Sequence, residues 1–102
     1  MKSQGTEMFE EIAYDYSVIS GAVTTRLSGE LILKNVIVNR GTSGQSFVMY
    51  DSSSGNQRIV ALIGFGDAFQ APVTLEYNVK LTSGLCVVTT GELTNLTVTY
   101  KK

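Results

Sequence analysis

The chain has 102 residues, enough for one domain whose core shields about 65% of the surface that the unfolded chain exposes. It contains no histidine, no tryptophan and one cysteine, and its formal net charge is −1. These counts exclude Cys/His zinc sites, histidine-dependent catalytic triads and an intrachain disulfide, and they leave no basic excess for holding nucleic acid through counterion release.

Residues 1–11 are polar and irregular and read as an N-terminal arm. Glu7, Glu10 and Glu11 gather acid around the apolar pair Met8 and Phe9, with Asp15 close behind. Any helix falls near residues 6–12, and Met8 and Phe9 are candidate anchors on a partner. No apolar signal core opens the chain, and no apolar run approaches the length of a membrane span, so neither secretion nor a membrane partner is expected.

From Ile12 onward, through a single domain spanning residues 12–102, the period becomes two. Tyr14, Tyr16 and Val18 share one face, and Asp15, Ser17 and Ile19 the other. A short threonine-rich strand is expected over residues 22–27, closed by Ser28-Gly29. Next, Leu31, Leu33 and Ile37 occupy one parity while Ile32, Val36 and Val38 occupy the other, with Lys34 and Asn35 interrupting both rows. A strand of that kind is central in its sheet or carries a bulge near Lys34.

Residues 46–63 read as a hairpin: Phe47, Met49 and Asp51 against Val48 and Tyr50, a turn at Ser52 to Asn56, then a return strand over 57–63. Residues 64–71 form a glycine-containing loop whose Phe65 and Phe69 are candidate interface residues. Pro72 sits where a strand starts, and its missing N–H matters least there. Val73, Leu75, Tyr77, Val79 and Leu81 then alternate with Thr74, Glu76, Asn78 and Lys80, one face core and one wet. Residues 84–100 read as a C-terminal hairpin of two adjacent antiparallel strands. Seven to eight strands at this spacing predict an all-β fold, a single antiparallel β-sandwich or a barrel.

Catalytic signals are weak. Glu30, Asp51, Asp67, Glu76 and Glu92 fall in turns or on wet faces, so paired-carboxylate hydrolysis is not expected. Asp51 with Ser52, Ser53, Ser54 and Asn56 is a poor calcium loop, because a single charge serves it. Gly64-Phe65-Gly66 lacks the third glycine and the helix of a phosphate cradle. Cys86 lies in an apolar run and reads as a buried structural residue, and the Asn95-Leu96-Thr97 sequon as coincidence. We expect no enzyme activity and no cofactor. Charged residues are only 17% of the chain and mean hydropathy is +0.12, which favours burial of surface against a neighbour.

The run from Val73 to Leu81, then Thr82-Ser83-Gly84-Leu85-Cys86-Val87-Val88-Thr89-Thr90-Gly91, then Leu96-Thr97-Val98-Thr99-Tyr100, resembles small structural proteins of tailed-phage virions. Phe47-Val48-Met49-Tyr50-Asp51 and its serine-rich turn are also similar. The resemblance implies a jelly-roll-like sandwich, made in host cytoplasm and deposited in many copies on a virion as a capsid decoration or cement protein. The implied partners are the major capsid protein or other virion proteins, together with further copies of the chain, commonly as a trimer. No catalytic residue comes with that family. A tail, fibre or head–tail connector component is the alternative within the virion. Outside it, the alternative is a carbohydrate-binding β-sandwich using Tyr14, Tyr16, Tyr50, Tyr77 and Tyr100 to stack on sugars.

Overall fold

The computed structural model describes residues 14–53, 58–66 and 70–102. Eight strands and no helix form among them: β1 (Asp15–Ser20), β2 (Thr24–Ser28), β3 (Leu31–Arg40), β4 (Ser46–Asp51), β5 (Ile59–Gly64), β6 (Val73–Leu81), β7 (Gly84–Thr89) and β8 (Asn95–Lys101). All pairings are antiparallel. They build two four-stranded sheets, β1-β8-β3-β6 and β2-β7-β4-β5. That order, with the chain passing repeatedly between layers, is the jelly-roll form of the β-sandwich.

Alternation explains the core. In the first sheet, Ile19, Leu96, Val38 and Val73 form one inward row across four strands, and Ser17, Val98, Val36 and Leu75 form the next. In the second sheet, Val87, Met49 and Ala61 form one row and Thr89, Phe47 and Ile63 another. The two inner faces meet in one apolar cluster in which Leu33, Val36, Val38, Phe47, Met49, Leu85, Leu96 and Val98 are fully buried. Each such aliphatic side chain contributes about 1.5–3 kcal/mol of gross burial free energy.

The two conflicting parities of β3 are reconciled by an irregularity. The strand is central, between β8 and β6, and its register shifts between Leu33 and Asn35 on both sides. The extra residue turns the strand over, so odd-numbered Leu31 and Leu33 and even-numbered Val36 and Val38 all face the core. Facing the bulge across the pair, Asn78 adopts φ 53°, and its Oδ1 accepts a 3.0 Å bond from Lys34 Nζ. The 46–63 hairpin is present as β4 paired with β5.

The C-terminal hairpin is not. β7 lies between β2 and β4 in one sheet, and β8 lies between β1 and β3 in the other. Residues 90–94 carry the chain across the sandwich, so Leu85 and Val87 meet Leu96 and Val98 through the core rather than side by side. Hydroxyls hold this crossing. Thr89 Oγ1 accepts from Val23 N–H at 3.1 Å and donates to Gly21 O at 2.6 Å. Thr94 Oγ1 donates to Thr90 O at 2.7 Å, and Thr94 O accepts from Gly21 N–H at 2.8 Å. The buried threonines thus satisfy backbone groups that the turns would otherwise leave unpaired.

Candidate interaction surface

Sheet edges and outer faces carry what the core leaves over. On the first sheet, the outer rows are Val18, Thr97, Ile37 and Thr74, then Tyr16, Thr99, Asn35 and Glu76. Hydroxyls and amides dominate that face and bond to one another: Asn39 Nδ2 donates to Asn95 Oδ1 at 2.9 Å and to Thr97 Oγ1 at 3.0 Å. Ion pairs at 3.5 Å join Lys34 to Glu76 on this face and Lys80 to Glu30 nearby. Beside it, Ser20, Asn39, Arg40, Glu92, Leu93 and Asn95 line an open, polar concavity of about 390 Å³.

The second sheet differs. Its outer rows are Thr24, Val88, Val48 and Leu62, then Arg26, Cys86, Tyr50 and Ile59. Leu62 and Ile59 are each 65% exposed, and Val48, Tyr50 and Val88 are half-buried. Cys86 stays buried on this outer face, as a free thiol flanked by its cross-strand neighbours Arg26 and Tyr50. Arg26 is the only charged residue in these two rows. An apolar face this continuous is uncommon on a surface that meets only water.

Asp51 has a structural task. Its Oδ1 accepts from Ser83 N–H at 3.0 Å, and its Oδ2 accepts from Thr82 N–H at 3.2 Å and Arg58 Nη2 at 3.3 Å. Arg58 Nη2 also donates to Thr82 Oγ1 at 2.8 Å. Partial burial acts to raise the Asp51 pKa, but the Ser83 and Thr82 amides and the Arg58 charge outweigh it, so the carboxyl titrates below its ordinary value. The cluster clasps the end of β4 to the β6–β7 turn. Both carboxylate oxygens of Asp51 accept bonds from the protein itself, and Ser54 and Asn56 of the calcium-loop candidate lie outside the described residues. Among the described residues, no three His, Cys, Asp or Glu side chains gather as metal ligands.

Of the sequence-derived interface residues, Met8, Phe9 and Phe69 lie outside the described residues, as do the arm and the helix considered for residues 6–12. Phe65 is corrected: it is 2% exposed, belongs to the core cluster and sits 5.9 Å from the Phe47 ring. Its backbone is fixed on both sides, with N–H donating to Gln45 O at 2.8 Å and O accepting from Gly44 N–H at 2.7 Å. Gly41 gives the ring its room, since a Cβ there would stand 2.8 Å from ring carbons. The Gly64-Phe65-Gly66 turn is therefore a plug closing the sandwich. The tyrosines divide: Tyr16 is 70% exposed, whereas Tyr77 and Tyr100 pack against the core, and burial pushes the Tyr77 phenol pKa up.

Sequence reading did not single out Ile59 and Leu62. The available signal was the unbroken apolar run from Ile59 to Ile63. Comparison with family models, curated proteins and solved structures returned no match.

Proposed function

We propose that this chain is a virion structural protein of a tailed phage, a capsid decoration or cement subunit that binds the outer shell by repeated protein–protein contacts. The observation that carries the reading is the outer face of the second sheet, where the highly exposed Ile59 and Leu62 join the half-buried Val48, Tyr50 and Val88 in one apolar surface. Three features support it. The jelly-roll strand order is the one that the resemblance implies. Glu30, Asp51 and Glu76 are tied into ion pairs or a structural clasp, which suits a contact protein better than an enzyme. The small number of charged residues keeps the desolvation cost of docking low.

A shell multiplies weak contacts. Many modest interfaces on one particle give avidity that no single site supplies. The test is binding of the purified chain to shells that lack it. Saturable binding, weakened by Ile59→Lys in a folded variant, is the expected result. A chain that ignores shells, or a variant that binds them as well as the parent, contradicts the reading.

A further inference from the structure

Resting on the reading of this chain as a contact protein, we propose that one of its contacts is with a second copy of itself, through antiparallel pairing of the β5 edges about a two-fold axis.

β1 and β6 are the edges of the first sheet, and β2 and β5 those of the second. Natural edge strands are usually guarded by charge, bulges or shortness, because an unpaired strand edge is a template for another strand. β6 carries Glu76 and Lys80 and is distorted at Asn78. β2 has five residues with Arg26 at its centre. β1 opens on Asp15 and carries Ser17 and Ser20. β5 reads Ile-Val-Ala-Leu-Ile-Gly and bears neither charge nor polar side chain. Its one irregularity lies opposite the Met49–Tyr50 step, which leaves Ala61 to Gly64 in regular register. Among the described residues, no strand pairs with its outer edge.

The chemistry of such an edge selects an extended strand as occupant, since its outward N–H and C=O groups, which no strand pairs among the described residues, repeat at the spacing of another strand's backbone. Neutrality then favours a copy of itself. A two-fold axis sets the residue beside it opposite its own mate, so a charge at that position would meet its like; β5 has none to repel. Parity sets the register. Residues directly opposite in an antiparallel pair share a face, so the axis must pass beside one residue. Centred on Leu62, the pairing puts Leu62 of one copy opposite Leu62 of the other on the outer face. It also puts Ala61 opposite Ile63 on the core side, joining the second sheets of both copies into one of eight strands. This makes the self-contact two-fold, in place of the trimer that the resemblance implies.

The test is sedimentation velocity of the full chain over a concentration series, alongside Leu62→Lys and, as a control on the opposite sheet, Val18→Lys. Both substituted residues are more than half exposed. The expected result is a reversible dimer, weakened roughly tenfold or more by Leu62→Lys and kept by Val18→Lys. A monomer at every concentration, a cyclic trimer, or a dimer indifferent to Leu62→Lys overturns the proposal. Should Leu62→Lys fail to fold, amide hydrogen exchange on the unmodified chain decides. Protection of residues 59–64 that rises with concentration supports the contact, and protection that does not change refutes it. Shell binding is scored separately, so a monomer that still decorates shells defeats this inference alone, and a dimer that binds no shell defeats the functional reading alone.

Discussion

Asp51 shows how one side chain can look like chemistry and serve architecture. Two backbone amides and a guanidinium converge on it, and its pKa falls accordingly. A carboxyl lowered in the fold stabilises fully above its ordinary pKa, and that contribution is lost as pH falls through the folded value. Urea midpoints measured from pH 6 downward should therefore drop on the acid side, and Asp51→Asn should flatten that limb while costing about 1–3 kcal/mol at neutral pH. An unchanged acid limb would show that the clasp carries no linkage. Phe65 makes the complementary point. Removing its ring leaves a hole beside Phe47, so Phe65→Ala should cost about 3–5 kcal/mol of unfolding free energy. A variant as stable as the parent would mean that the ring is not part of the core.

At the scale of strands, local pattern and long-range pairing part company. The period-two runs were readable because each strand buries one face, and the clean alternation of residues 73–81 becomes β6 with little change. The mixed parity around Lys34 was readable as a bulge in a central strand for the same reason: apolar residues on both parities need a turnover to face one core. The pairing of β7 and β8 was not readable. A hairpin and a crossing between sheets demand the same alternation and the same Gly91-Glu92 turn, and the difference lies in partners distant in sequence. Threonines mark that difference. Thr89, where β7 ends and the crossing starts, bonds to the backbone of Gly21 and Val23. Thr89→Val keeps the shape and removes the hydroxyl, and should cost about 1–3 kcal/mol in chemical denaturation. No loss would mean that water replaces the bond without penalty. The candidate surface was hidden by a related ambiguity. In an all-apolar strand such as β5 either parity can face inward, and only the pairing with β4 sends Leu62 out and Ala61 in.

For the whole molecule, sequence composition and fold point the same way. On the first sheet Asn39 bonds to Asn95 and Thr97, and Glu30 and Glu76 pair with lysines, whereas β5 at the edge of the second sheet carries the most exposed aliphatic side chains among the described residues, Ile59 and Leu62. Such a division suits a block that is placed against neighbours in large numbers, and the virion reading turns that division into a count. The most direct measurement is the copy number and position of the chain on a purified particle, by quantitative mass spectrometry with an image reconstruction. The expected result is copies in proportion to the capsomers, on the outer shell, with the β2-β7-β4-β5 sheet turned toward a protein neighbour. A particle carrying only a few copies at its tail, or a shell-bound chain whose Ile59 and Leu62 face solvent, would contradict it.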